Sequence, residues 1–216
     1  MPERLHIITP LNRLENLPRL ARSVAESGLA ARFAVSWWLM VNREDVPPAL
    51  AGEIALPTGG EPTEEDIRVL VVKSPAWGYD ARGLAAFGHA QRSHALDLIG
   101  DTDPGWVWVL DDDNLVHPDF AAGLAELMAA HPSARGFVVG QHPADSSPRP
   151  IGPEWLRPGY VDTAQYILRR DLIGAERVRQ VHADDGAFIG RVYAAHPADV
   201  VFCERVLTYW NGMTLP

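Results

Sequence analysis

Short β-branched or aromatic runs alternate with helically spaced segments along most of this chain, and that alternation limits the fold more than any other feature. Leu5-His6-Ile7-Ile8-Thr9 is apolar, β-branched and ended by Pro10, the texture of a buried strand. Leu14, Leu17, Leu20, Ala21, Val24 and Ala25 then recur at helical spacing until Gly28 stops them. Residues 33–41, 67–72, 106–110 and 137–140 predict four further strands. Residues 84–99 read as a helix closed by Gly100, and Pro118 opens another that runs through Ala130. Residues 43–66, rich in Pro, Gly and Glu, read as a loop. Such alternation predicts an α/β domain with a mainly parallel, mixed central sheet flanked by helices, and ligands at the C-terminal ends of its strands.

Residues 141–160 carry many Pro, Gly and Arg residues together with Trp155 and Tyr160. Beyond them, Tyr166-Ile167-Leu168 reads as a strand and residues 184–193 as a helix. No linker separates these parts, so residues 1–216 are expected to form one domain with two halves, 1–114 and 115–216. Trp37, Trp38, Trp106 and Trp108 are expected to be buried in its sheet.

Composition excludes several functions. The 216 residues hold 19 Lys+Arg against 28 Asp+Glu, a net charge of −9, which lacks the footprint for wrapping nucleic acid or adhering to anionic lipid. Phosphate handling therefore needs a local Arg cluster or a bridging metal. One cysteine, Cys203, excludes an internal disulfide and a cysteine-based zinc site. Lys73 is the only lysine, a bias ordinary in a GC-rich bacterial genome, so lysine chemistry is confined to that position. No apolar run approaches the roughly 18 residues of a spanning helix, and the start lacks a basic-then-apolar signal region. A soluble, cytoplasmic protein is the expectation.

The polar run Asp111-Asp112-Asp113-Asn114 follows Trp106-Val107-Trp108-Val109-Leu110 without a break. Three adjacent carboxylates repel one another, and a cation or exposure relieves them. At a strand's C-terminal end, carboxylates at i and i+2 can hold one divalent metal, with water and phosphate completing its shell. The plainer alternative is a solvated acidic turn in which Asp111 or Asp112 caps a helix. A calcium loop is excluded, because Val116 and Ala122 stand where Gly and Glu are needed. A dehalogenase-type phosphatase needs a lysine downstream, whereas Lys73 lies upstream. No dinucleotide fingerprint, P-loop, zinc-protease or nucleophile-elbow motif occurs.

These residues, with others in the same order, resemble GT-A-fold glycosyltransferases. Thr9-Pro10 followed by Asn12-Arg13 is similar to the Pro-x-Tyr-Asn-Arg of family 2 and the Thr-Pro-x-Tyr-x-Arg-Pro of family 43 glucuronyltransferases, one residue shorter and without the tyrosine. Gln91-Arg92-Ser93-His94-Ala95-Leu96 resembles the family 43 helix Gln-Arg-Asn-x-Gly-Leu, and Asp111-Asp112-Asp113-Asn114 matches that family's Asp-Asp-Asp-Asn. Asp162-Thr163-Ala164 stands where those enzymes have Asp-Met-Ala. Asp184-Asp185-Gly186-Ala187-Phe188 stands in the place of their Glu-Ser-Asp-Phe and of the Glu-Asp of family 2. The resemblance spans most of residues 5–193, and the Asp run is its most specific part.

The resemblance implies a role for each residue. Asp113, assisted by Asp111, would hold Mn²⁺ or Mg²⁺ across the two phosphates of a nucleotide-sugar, with uridine the usual base. Asp112 would face the ribose or donor sugar, Thr9, Pro10 and Arg13 would line the nucleoside pocket, and Arg92 would neutralise the diphosphate. Asp185 would be the general base of an inverting transfer, with Asp184 left open as the alternative. Asp162 would meet the acceptor; Trp155, by its aromatic face and not by the resemblance, is the candidate to stack on an acceptor sugar. Related enzymes often complete the metal shell with a C-terminal His; here Asn211 stands in that region, and His117 and His196 are the other possibilities. A sugar nucleotidyltransferase and a silent GT-A module that binds nucleotide or glycan are the rival readings. The first is disfavoured, since Thr9-Pro10-Leu11-Asn12-Arg13 is not glycine-rich.

Overall fold

Glu3–Leu11 (β1) is buried on both faces from Leu5 onward, which makes it an inner strand. The computed structural model describes residues 2–41, 67–73, 78–79, 85–86, 88–143 and 147–210. β1 pairs in parallel with Phe33–Val41 (β2) on one side and Trp106–Val109 (β6) on the other. Arg68–Lys73 (β3) extends the parallel set beyond β2. Gly78–Tyr79 (β4) and Ala85–Ala86 (β5) form a separate two-stranded antiparallel pair. Past β6 the direction reverses in Tyr166–Arg169 (β9), which joins β6 to Gly136–Pro143 (β8). Val200–Trp210 (β10) runs parallel to β8, and Leu115–Val116 (β7) closes that edge antiparallel to β10. The eight strands lie in the order β3-β2-β1-β6-β9-β8-β10-β7, a mixed and mainly parallel sheet.

Strand periodicity distributes the apolar side chains between two cores. Leu5, Ile7, Trp37, Trp106 and Trp108 pack on one face with Leu17–Glu26 (α1) and Phe120–Ala130 (α3). Ile8, Met40, Val107 and Val109 pack on the other with His89–Ile99 (α2) and Asp184–Ala195 (α5). The short Arg170–Ile173 (α4) adds Leu172 and Ile173 to that second core. Trp37, Trp106 and Trp108 are buried as expected, while Trp38 is half-buried and donates from Nε1 to His6 Nδ1 at 3.2 Å. No helix among the described residues is long and apolar enough to cross a membrane.

The expected helix over 84–99 starts later, at His89. Ala85–Ala86 is extended, and Gly88 at φ +70° supplies a left-handed turn before the helix. Pro118 precedes its helix by two residues, because Phe120 is the first helical position. The eleven-residue β10 was not anticipated. Its apolar run is broken by Glu204-Arg205, where the pairing with β8 shifts register opposite Gly140. The expected loop over 43–66 lies outside the described residues.

One close approach fixes the start of α5. A Cβ at Gly186 would stand 2.1 Å from the Arg157 carbonyl oxygen, so the helix seats directly on the 156–157 backbone. Gly186→Ala is expected to lower stability by about 1–3 kcal/mol through overpacking. Denaturant midpoints for the variant and the parent check this, and equal midpoints would show that the helix shifts freely.

Candidate active site

β1 and β6 are parallel neighbours, so their C-terminal ends deliver two loops to one place. Leu110 N–H donates to the Ile8 carbonyl at 2.9 Å, which carries the Asp run alongside residues 10–13. The cavity there has a volume of about 320 Å³. Its walls are Pro10, Asn12 and Arg13 after β1, Asp111, Asp112 and Asp113 after β6, Gly88 and Arg92 from α2, and Trp210 at the end of β10. A Cβ at Gly88 would lie 2.8 Å from Pro10 Cβ, so only glycine lets α2 begin this close to β1.

The three aspartates have different partners. Asp112 is buried, and its carboxylate accepts from the Asn12 and Arg13 backbone N–H groups at 2.7 Å and from Arg13 Nε at 2.9 Å. These contacts shape the loop after β1, and Asp112 still forms part of the cavity wall. Asp111 accepts from Arg92 Nη2 at 2.7 and 2.8 Å and from the Thr163 hydroxyl at 3.2 Å. Asp113 meets Arg13 Nη2 at 2.9 Å. Burial, and then the charge of Asp111, raise the Asp113 pKa above the usual carboxylate range.

Arg92 joins this group to a fourth carboxylate. It is buried on α2, and its Nη1 donates to Asp185 Oδ1 at 2.7 Å while Nη2 holds Asp111. Burial acts against its charge, but Asp111 and Asp185 outweigh that and raise its pKa. Arg92, expected to neutralise a diphosphate, bridges two carboxylates and also lines the cavity. Asp185 is itself pushed up to about 7 by burial, which Arg92 only partly offsets. His89 Nε2 lies 3.6 Å from Asp185, with its pKa lowered to about 4 by burial and Arg92, so the imidazole is neutral.

The structure separates Asp184 from Asp185. Asp184 is buried and accepts from the Arg179 N–H at 2.7 Å and from Arg191 at 3.1 Å. It anchors the start of α5, next to Ala183 at φ +57°, while Asp185 faces Arg92. Thr9 is a correction: it is fully buried, with its hydroxyl accepting from Trp37 Nε1 at 2.9 Å. Strand parity explains this, since Thr9 follows Leu5 and Ile7 onto the core face and Pro10 takes the cavity side.

Asp162 caps the 3₁₀ turn Thr163–Gln165, and its Oδ1 accepts from Ala164 N–H, Asn114 Nδ2 and Gln141 Nε2, each at 3.0 Å. Burial and Asp111 raise its pKa. Trp155 is half-buried with its ring 5.3 Å from that of Tyr160; neither it nor Asp162 lines the cavity. His117 accepts from the Asp119 N–H and His196 sits 3.8 Å from Asp199, so neither lines the cavity, and Asn211 lies outside the described residues. Asn12, Gly88, His89 and Trp210 were missed. Asn12 had a usable signal, as a polar residue just past an expected strand, whereas Trp210 ends a strand that was not anticipated.

Charge and donor type fit a hard divalent cation. Asp111, Asp113, Asp162 and Asp185 influence one another electrostatically; Arg13 and Arg92 oppose them by direct contact, and the charge of Arg149 acts on Asp162. Among the described residues no three His, Cys, Asp or Glu side chains form a closed metal cage. Asp113 and Asp111 would thus supply two oxygens and leave the rest to water and phosphate, as Mg²⁺ sites commonly do.

No family model matches the chain, and no curated protein sequence matches it. Solved structures do. A structure of Staphylococcus aureus TarS 1–349 superposes with a TM-score of 0.66 at 13% identity, covering 96% of this chain and 60% of that one. A longer S. aureus TarS structure gives 0.64 at 14% identity, with 96% and 36% covered. This chain thus spans about 60% or less of the chains it resembles. With the mixed sheet and an acidic loop after an inner strand, the likeness shows that the chain has a GT-A-like fold.

Proposed function

We propose that this chain is a metal-dependent glycosyltransferase that moves a sugar from a nucleoside-diphosphate donor, uridine by resemblance, to an acceptor hydroxyl with inversion. The observation that carries the reading is the Arg92 bridge, which ties a phosphate-side carboxylate, Asp111, to a second carboxylate with a pKa near neutrality, Asp185. A general base works best when its pKa lies near the operating pH. Asp185 takes the acceptor hydroxyl's proton as that oxygen forms its bond to the anomeric carbon. The bond from that carbon to the β-phosphate oxygen breaks on the opposite face, and the diphosphate leaves with the electron pair. A divalent cation on Asp113 and Asp111 would supply Lewis-acid stabilisation of that charge. Arg13 adds a half-exposed guanidinium at the same end.

Thermal shifts with UDP, GDP, CDP and dTDP, each with and without Mn²⁺, test the donor site. A nucleotide at 100 times its dissociation constant adds roughly 2.7 kcal/mol, a midpoint rise of roughly 5–10 °C at this size. Asp113→Asn is expected to lose the metal-dependent part of that rise while its own unfolding stays cooperative. An unchanged metal-dependent rise in the variant would remove Asp113 from the metal site. One observation favours the silent module: Arg13 and Arg92 already occupy oxygens of the Asp run. Nucleotide affinity without hydrolysis or transfer of any nucleotide-sugar would establish that reading.

A further inference from the structure

A ribbon of arginines and aromatic rings leads away from the cavity. Arg149 Cζ sits 4.6 Å over the ring of Trp210, which lines the cavity itself. Arg149 Nη1 donates to the Tyr160 carbonyl at 3.4 Å, and Arg157 Cζ lies 4.1 Å over the Tyr160 ring and 5.4 Å over Trp155. The backbone of residues 156–157 seats on Gly186 and Gly190 of α5, so the ribbon is anchored one residue from Asp185. Among the described residues neither Arg149 nor Arg157 forms a contact ion pair, though the charge of Arg149 reaches Asp162, whereas Arg13, Arg92, Arg170, Arg177 and Arg191 each hold a carboxylate. Arg149 Nε is buried without a hydrogen-bond partner.

Stacking occupies the face of a guanidinium and spares its in-plane N–H groups. Arg149 uses Nη1 on the Tyr160 carbonyl and buries Nε, which leaves Nη2, while Arg157 keeps its fork. Those groups match the two oxygens of a phosphate or carboxylate. In a chain of net charge −9, two arginines without a contact ion pair beside a carboxylate-rich cavity act against the repulsion an anion would meet there. Tyr160, 41% exposed, and the half-buried Trp155 offer faces for a sugar ring. From this we infer that the acceptor is an anionic glycan, its sugar on Trp155 and Tyr160 and its phosphate or carboxylate on Arg149 and Arg157. The inference rests on the glycosyltransferase reading and specifies its acceptor.

The test uses three probes, methyl glucoside, methyl glucuronide and glucose 6-phosphate, titrated in EDTA so that metal-bound phosphate plays no part. Binding is followed through the ¹⁵N-indole resonances of Trp155 and Trp210. At least one anionic probe is expected to bind tenfold or more tightly than methyl glucoside, with both indole signals moving. Arg149→Gln and Arg157→Gln should each cut that preference several-fold, and the double variant should abolish it. Preference for glucose 6-phosphate alone would specify phosphate; preference for the glucuronide alone would specify carboxylate. Equal binding of all three probes, no binding, or a preference that survives the double variant would overturn the inference. Nucleotide thermal shifts on the same proteins keep the two readings apart. Intact metal-dependent nucleotide binding without anion preference sinks only the acceptor assignment, whereas absent nucleotide binding sinks the donor site.

Discussion

Asp185→Asn is expected to keep nucleotide binding and to lose sugar transfer by about 10²–10⁴-fold, the usual contribution of a positioned general base. Asparagine keeps the shape and an oxygen for Arg92 but cannot take a proton. On the proposed function, transfer by the parent chain should rise with pH through about 7, as the buried carboxyl ionises. Stability should move the opposite way. A folded-state pKa of about 7 lies above the unfolded value, so the folded chain holds more protons between the two. The stability contributed by the neutral carboxyl is complete below the unfolded pKa of about 3.9 and is lost as pH rises through the folded value. Unfolding midpoints of parent and variant measured from pH 4 to 8 should therefore diverge, with the parent falling relative to Asp185→Asn. Parallel curves would show that Asp185 titrates as an ordinary carboxylate, and near-normal turnover in the variant would remove it as the base.

Arg92→Met is expected to cost about 3–5 kcal/mol, the range for removing one partner of a buried ion pair. Methionine fills much of the same space, so the loss is mainly electrostatic. Asp111 and Asp185 each lose their 2.7 Å charge-assisted contact and face each other without a cation between them. The Asp185 pKa should climb further, since Arg92 is the main influence lowering it. The acid limb of the activity profile should then move to higher pH, and the destabilisation should grow as pH rises. Arg92→Lys should rescue little, because one ammonium cannot reproduce a planar fork held between two carboxylates. Parent-like stability together with an unmoved pH profile would dismiss the bridge as incidental.

Legibility in the sequence varied by element. The strands over 33–41 and 106–110 were plain, because both are apolar but for Ser36 and mostly buried in the sheet. β10 was hidden by Glu204-Arg205, a charged bulge that breaks its run. The start of α2 was misplaced because helical spacing continues backward through residues whose backbone is extended. Among the site residues, Arg13, Asp111 and Asp113 were found together, and all three line one cavity. Thr9 was misassigned by motif position, where strand parity would have placed it in the core.

The sequence alone determined the α/β alternation, the placing of an acidic run at the end of an inner strand, and the shortage of basic residues that makes each arginine near that run informative. These follow from local periodicity and composition, which a linear reading captures. Only the tertiary structure decided that Arg92 holds Asp111 and Asp185 at once, that Asp184 is sealed by Arg191, and that Arg149 stacks on Trp210. Each of those pairings is a choice among several chemically equivalent partners. Periodicity states which face of an element a side chain takes, whereas ion-pair partners far apart in the chain are selected by how the elements pack.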